Sequence, residues 1–345
     1  SYFSFCTMAF SLVFVSCSKE ELYEPIATEE TQSTNFKAPQ NTLRITMETK
    51  KVNYDYLYPT KTVVFEDQVW YVSEKRSASI PYTFTNQLWS SEDGVQFELR
   101  NSTAVPEGSL VAFNDKLWII GDKVWNSENG KNWSIVPLTN SLRHPFRNTS
   151  GSGIVVFNGK MFLFEENPRG DQRVFSSSNG SVWHLENANA FPSVVLGRPI
   201  VYNNKLYYVG GNYYRTPNPT NDIYQSTNGR DWSKLNRGLT PYPDTTVFGP
   251  RSWFGMTLFE NKVWVIGGST GGHTPPDNEI WYSSDMKRWT KYEGNVPFGW
   301  MTGHTAITFN NKILIMGGFG ESRYIDDVDP LKKIWSIQPG GRLPN

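Results

Sequence analysis

The side chains best suited to chemistry in this chain are arginine, histidine and aromatic residues in its irregular segments, such as "LRHPFRN" and "FGWMTGH". A guanidinium presents a planar fork of donors to a carboxylate or sulfate, and an aromatic ring stacks on the apolar face of a sugar. The alternative for each residue is a purely structural contact. The pattern predicts a ligand site that draws on Arg147, Arg198, Tyr213, Arg215, Arg251, Trp253, His273, Trp300, His304 and Arg323.

Catalytic and metal-binding motifs are missing from the sequence. It has no His-Glu-x-x-His, phosphate-binding loop, nucleophile elbow or EF-hand spacing, and its four histidines lie far apart. Both cysteines, Cys6 and Cys17, fall in the first 17 residues, which excludes thiolate chemistry from the rest of the chain. We therefore expect no metal and no cofactor, and a binding protein is favoured over an enzyme.

Composition narrows the fold class and the partners. The 345 residues include 28 Gly and 21 Pro, and 15% of them are aromatic, a mixture typical of β-structure. The chain has 33 basic and 33 acidic side chains, so its formal net charge is zero. Nucleic-acid binding normally requires a basic excess, and we do not expect it here.

The start of the chain has the pattern of a bacterial lipoprotein signal. The apolar run "CTMAFSLVFVSC" is too short to span a bilayer but suits a signal peptide, and Phe14-Val15-Ser16-Cys17 resembles a lipobox. These features predict a signal over residues 1–17 with lipidation at Cys17. Ser18-Lys19-Glu20-Glu21 resembles a surface-export signal, and residues 18–41 are polar enough for a flexible tether. The predicted location is the outer membrane, exposed at the cell surface.

Residues 42–345 contain a sixfold repeat. A two-residue turn, as in "FNDKLWII" or "FENKVWVI", recurs every 44 to 57 residues, which is the length of a four-stranded propeller blade. A second phrase, as in "SENGKNW", supplies another tight hairpin in five of the units and ends in an aromatic residue. These aromatics are predicted to pack between blades. The last unit lacks this phrase, so the strand "TLRITM" is expected to complete it and close the ring.

The Gly-Gly doublets at 210–211, 267–268 and 317–318, each followed further downstream by Trp or Tyr, resemble kelch repeats of the galactose-oxidase type. The resemblance implies an all-β, six-bladed kelch-like β-propeller, closed by an N-terminal strand in the last blade. It does not extend to galactose oxidase activity, which needs a cysteine that this region lacks. Sialic-acid mutarotases are also six-bladed rings of this kind.

In such a ring the two repeated turns share one face, and the variable loops and inter-blade links share the other, where binding is usual. The predicted function is a surface-anchored, non-catalytic propeller that binds a glycan or partner protein at the mouth of the central channel. The alternative is an enzyme that acts on an acidic sugar, like a sialic-acid mutarotase. We expect a monomer that meets the membrane only through its lipid anchor.

Overall fold

The computed structural model describes residues 43–49, 56–78, 80–81, 83–103, 105–139, 153–166, 170–213, 216, 218–235, 247–271, 278–320 and 333–339. Across these residues the chain forms β-strands and turns, with no helix, and the strands make six small antiparallel sheets. The sheets are the blades of a six-bladed β-propeller. The predicted fold class is confirmed.

The first three blades each contain four strands in simple sequential order. Blade 1 comprises β2 (Tyr56–Phe65), β3 (Gln68–Arg76), β4 (Phe84–Ser91) and β5 (Glu98–Asn101). Blade 2 comprises β6 (Ser109–Phe113), β7 (Lys116–Ile120), β8 (Val124–Ser127) and β9 (Ser134–Val136). Blade 3 comprises β10 (Ile154–Phe157), β11 (Lys160–Glu166), β12 (Gln172–Ser177) and β13 (His184–Asn187).

Blade 5 keeps this plan, whereas blade 4 has an interrupted innermost strand and blade 6 takes its outermost strand from the start of the chain. Blade 4 comprises β14 (Val194–Val195), β15 (Arg198–Tyr202), β16 (Lys205–Tyr213), β17 (Pro219–Ser226) and β18 (Ser233–Lys234). Blade 5 comprises β19 (Gly255–Phe259), β20 (Lys262–Ile266), β21 (Ile280–Ser283) and β22 (Thr290–Lys291). Blade 6 comprises β23 (Met301–Phe309), β24 (Lys312–Gly320), β25 (Ile334–Pro339) and, from the start of the chain, β1 (Leu43–Thr49).

The N-terminal strand closes the ring as the sequence predicts. β1 pairs with β25 in antiparallel register, with Ile45 opposite Ile337 and Met47 opposite Trp335. Leu43 and Ile45 pack against the apolar cluster between blades 5 and 6. The closing strand thereby covers the edge of the last blade, which would otherwise offer unpaired backbone groups.

Within the described part of the chain, the core is divided into six apolar clusters, one at each interface between neighbouring blades. Each turn-phrase aromatic belongs to one of them, which confirms its predicted packing role: Phe97, Trp133, Trp183, Trp232 and Trp289. The sixth cluster, between blades 5 and 6, uses Phe298 and Trp335 instead.

Both repeated turns have the conformation that their residues favour. The two-residue turns place both residues at positive φ, as at Asn114 (47°) and Asp115 (55°), which is the twist a tight hairpin requires. In the second turn, Asn129 Oδ1 accepts hydrogen bonds from the backbone N–H groups of Lys131 and Asn132. The turn face is thus stabilised by local contacts.

Candidate functional site

The loop face, defined by the loops between the second and third strands and by the links between blades, holds six of the ten predicted ligand residues in described positions: Arg198, Tyr213, Arg251, Trp253, Trp300 and His304. The other four, Arg147, Arg215, His273 and Arg323, lie outside the described residues, as does Cys17. The described six differ sharply in burial and in partners.

The links that enter blades 4, 5 and 6 are joined by backbone hydrogen bonds. Leu196, Trp253 and Gly303 occupy equivalent positions and all have positive φ, at 62°, 57° and 70°. The Trp253 N–H donates to the Leu196 carbonyl at 3.4 Å, and the Gly303 N–H donates to the Trp253 carbonyl at 2.7 Å. We call these three residues the collar. It holds the starts of three innermost strands together near the ring centre.

The innermost strand of blade 4 is interrupted at the collar residue Leu196 and at Gly197. Arg198 is the first residue of β15, which follows this interruption. Its side chain is only 9% exposed, yet its hydrogen bonds go to two carbonyls, from Nε to Phe254 at 3.2 Å and from Nη1 to Gly197 at 3.3 Å. Burial lowers the pKa of Arg198 to about 10, which leaves it protonated at neutral pH. Within the described part of the chain no carboxylate pairs with this cation.

His304, in β23 of blade 6, lies close to the same charge. It is fully buried, and its Nε2 accepts a hydrogen bond from the Gly255 N–H at 3.1 Å. Burial, with the positive charge of Arg198, lowers the pKa of His304 to about 3, so the ring is neutral as an acceptor must be. Arg198 and His304 therefore hold opposite sides of one peptide group, Phe254–Gly255.

Blade 1 shows how a cation in this position is normally neutralised. Lys61 has the same place in its innermost strand as Arg198 and is 2% exposed, and its Nζ pairs with Glu74 Oε1 at 2.9 Å. The residue of blade 4 that corresponds to Glu74 is Gly211. A Cβ on Gly211 would lie 2.5 Å from backbone atoms of Val195 and Gly197. The backbone of blade 4 leaves no room for an acidic side chain there.

Arg251 belongs to the fold rather than to an open site. It is 0% exposed, and its Nη2 pairs with Glu279 Oε2 at 2.8 Å while Nη1 and Nε donate to the carbonyls of Gly267 and Gly249, each at 3.0 Å. Burial opposes the ionisation of Glu279, but hydrogen bonds from Lys291, Trp281 and Arg251 outweigh it and lower the pKa to about 2. This burial and pairing argue against direct ligand contact by Arg251.

The remaining described candidates lie around these groups. Trp253 and Trp300 are both partly exposed in links of the loop face. The Tyr213 hydroxyl donates a hydrogen bond to Asp222 Oδ2 at 2.6 Å. The same carboxylate oxygen accepts a hydrogen bond from the Tyr224 hydroxyl and pairs with the ammonium group of Lys234. The structure therefore brings Arg198, Trp253 and His304 together, and assigns Tyr213 to a separate polar cluster.

Glu166 is a charged residue of the loop face that the sequence analysis did not single out. It ends β11, is partly buried, and its pKa is raised by burial and by the neighbouring charge of Glu165. Its backbone pairs with Gln172 in the sheet, but its carboxylate forms no hydrogen bond or ion pair with any described residue. An alignment of the six repeats could have identified Glu166. At its position blades 1 to 3 have the acidic residues Glu74, Asp122 and Glu166, and blades 4 to 6 have Gly211, Gly268 and Gly318.

Comparison of the chain with models of known protein families gives no matching family, and comparison with curated proteins gives no matching relative. Among the described residues, His, Cys, Asp and Glu side chains do not gather in a group of three that could hold a metal ion. The same residues include no helix with the length and hydropathy needed to cross a bilayer.

Proposed function

We propose that this propeller is a non-catalytic, kelch-like binding protein that holds an acidic glycan at the loop face. The observation that carries the proposal is Arg198, a nearly buried guanidinium whose described partners are two carbonyls and no carboxylate. A buried charge without a counterion is costly, and an anion from a ligand would offset that cost. Its guanidinium suits the two oxygens of a carboxylate or sulfate.

Two further features support a sugar as the carrier of that anion. Trp253 lies in the collar and bonds through its backbone to Leu196, two residues before Arg198, and Trp300 precedes β23 in the next link; both rings are partly exposed on the loop face. Kelch-like character is supported by the Gly-Gly doublets, whose glycines all have positive φ. The surface lipoprotein anchor at Cys17 remains part of the proposal on the strength of the sequence alone.

The proposal is tested on an array of neutral, carboxylated and sulfated glycans with the wild type and Arg198→Gln. A charge-assisted hydrogen bond contributes about 1.5–3 kcal/mol, so the variant should bind acidic glycans roughly ten- to a hundred-fold more weakly. Arg230→Gln is the matched control, because it removes the same charge from a side chain that is 68% exposed. Equal binding by Arg198→Gln and wild type, or no acidic glycan bound at all, contradicts the proposal.

The alternative of an enzyme that acts on an acidic sugar has one structural observation in its favour. Glu166 is a partly buried carboxylate at the end of β11 on the loop face, and burial raises its pKa in the direction that suits a general acid. Mutarotation of N-acetylneuraminic acid, followed by NMR with wild type and Glu166→Gln, decides between the two. Catalysis by the wild type that is lost in the variant would establish the enzyme.

The anchor is tested separately by cell fractionation. Cys17→Ala should move the protein from the membrane fraction to the soluble envelope fraction, because lipid chains on Cys17 are the proposed source of membrane affinity. An unchanged membrane fraction for the variant rules out the lipid anchor but leaves the glycan site untouched.

A further inference from the structure

The hairpin between β3 and β4 of blade 1 projects from the loop face. In blade 2 the pairing of the second and third strands stops at Ile120 and Val124. Blade 1 continues beyond the equivalent point with four more residue pairs, which join residues 73–76 to residues 84–87. At about 3.3 Å per residue, these pairs lengthen the hairpin by about 13 Å. Blade 1 therefore carries a paired β-structure well beyond the part that packs in the ring.

The outer end of this hairpin exposes large apolar side chains. Ile80 is 81% exposed and Phe84 is 56% exposed, the two largest exposed fractions among large apolar side chains of the described residues. The end is tied by the Ser77 N–H, which donates to the Thr83 carbonyl at 2.8 Å, and by Ser77 Oγ, which accepts from the Thr83 N–H at 2.9 Å. Single exposed apolar residues are ordinary, but two on one projecting hairpin indicate a contact with an apolar partner.

The charges of the hairpin favour a lipid surface as that partner. Residues 75–91 include Lys75 and Arg76 and no carboxylate, and Lys75 is exposed. Apolar side chains flanked by cations suit the interface of an anionic bilayer, because the apolar groups enter the lipid while the cations stay at the level of the acidic head groups. The hairpin lies on the same face as Arg198, so a lipid surface that receives it also covers the ligand site.

From these features, and resting on the proposed function, we infer that the acidic glycan is the head group of a membrane glycolipid. Arg198 binds the acidic group of the sugar, and the blade 1 hairpin inserts Ile80 and Phe84 into the lipid that carries it. This is a second membrane contact, in addition to the proposed lipid anchor at Cys17. Two apolar side chains bind a bilayer weakly by themselves, so the hairpin adds affinity where the head group is also held.

The experiment compares vesicles with soluble head groups, using full chains that all carry Cys17→Ala so that no lipid anchor contributes. The probes are phosphatidylcholine vesicles with sulfatide or a monosialoganglioside, and soluble galactose 3-sulfate and sialyllactose. The parent protein should bind the glycolipid vesicles about ten-fold or more tightly than the soluble sugars. Ile80→Ser combined with Phe84→Ser should lose that gain and keep its affinity for the soluble sugars. Ile135→Ser is the matched control, because it removes a 49% exposed side chain from the outermost strand of blade 2.

The depth of the hairpin gives a second readout. Brominated lipid should quench the tryptophan introduced by Ile80→Trp and leave that of Ile135→Trp unchanged. Absence of this quenching, or vesicle binding by the double serine variant equal to that of the parent, overturns the glycolipid inference and leaves the acidic-glycan proposal intact. Equally strong binding to phosphatidylglycerol vesicles also overturns the inference, because lipid charge alone would then suffice. If neither the soluble sugars nor the glycolipid vesicles bind, the proposed function itself fails for these sugars.

Discussion

Arg198 and Arg251 lie in adjacent blades, are both buried, and were both predicted as ligand residues, yet the fold uses them in opposite ways. Arg251 donates to two carbonyls and to the carboxylate of Glu279. Arg198 donates to two carbonyls and to no described carboxylate. Burial of a cation is therefore a poor guide to function. The informative feature is that no described carboxylate pairs with Arg198.

The difference comes from what each side chain can reach. Arg251 lies in the link before β19 and bonds to Gly267 and Glu279, which follow the second strand and precede the third strand of its own blade. Arg198 crosses to the neighbouring blade and bonds to Phe254. Its own blade has Gly211 at the acidic position, with backbone atoms where a side chain would begin. The local course of the backbone thus decides which arginine stays available.

The largest expected effect is on stability, from Arg251→Met. The variant loses three hydrogen bonds from a buried guanidinium, to the carbonyls of Gly267 and Gly249 and to Glu279, at a cost of roughly 3–5 kcal/mol in all, while Glu279 keeps Lys291 and Trp281 as partners. Urea denaturation should show a loss of that size in the free energy of unfolding, with Arg230→Met within about 0.5 kcal/mol of wild type. A loss below about 1 kcal/mol for Arg251→Met would remove the contrast between the two arginines.

The second expected effect is a dependence of stability on pH through Glu279. Its pKa is about 2 in the folded protein against 4.5 for an ordinary glutamate, so its stabilising contribution is complete above pH 4.5 and is lost as pH falls towards 2. The shift corresponds to about 3 kcal/mol. Glu279→Gln should be less stable than wild type at pH 6, and the gap should narrow as pH falls. A gap of constant size would contradict the assigned ion pair.

Much of the fold was predictable because its signals are local and periodic. The paired turns show positive φ at both residues, and β1 completes the last blade in the expected place. The prediction of the turns depends on short-range residue preferences, and the prediction that β1 closes the ring depends on counting the strands of each blade. Six repeats make such a pattern readable from one sequence.

The state of each candidate site residue could not be predicted in the same way. The partner of Arg251 is Glu279, 28 residues further along the chain, and the sequence does not reveal that contact. The availability of Arg198 depends on the absence of a carboxylate among its described neighbours, which only the packed structure shows. Glu166 precedes a variable loop and looks like an ordinary solvated glutamate. Glu166 stands out as a candidate site residue only when the six blades are compared position by position.

A smaller effect is expected from Arg198→Met, whose stability should stay within about 1 kcal/mol of wild type. The variant loses two hydrogen bonds to carbonyls, at about 1 kcal/mol each, but it also removes a buried charge that has no described counterion, and the two changes offset one another. Urea denaturation beside Arg251→Met gives the comparison directly. A loss equal to that of Arg251→Met would mean that Arg198 is also a structural residue.

The smallest expected change in stability is for Trp253→Gly, in the collar between the two arginines and His304. Trp253 has a φ of 57°, a left-handed conformation that costs a bulky residue about 1–2 kcal/mol and that glycine adopts freely, as Gly303 does in the next blade. Relief of that strain should offset the loss of a partly exposed ring, leaving the free energy of unfolding within about 1 kcal/mol of wild type. Trp133→Gly, which removes an aromatic ring packed between blades 1 and 2, should cost about 3 kcal/mol or more. Binding of acidic glycans should respond in the opposite order, weakening for Trp253→Gly and staying unchanged for Trp133→Gly at temperatures where both are folded. Unchanged binding with a large loss of stability for Trp253→Gly would show that the collar tryptophan supports the fold alone.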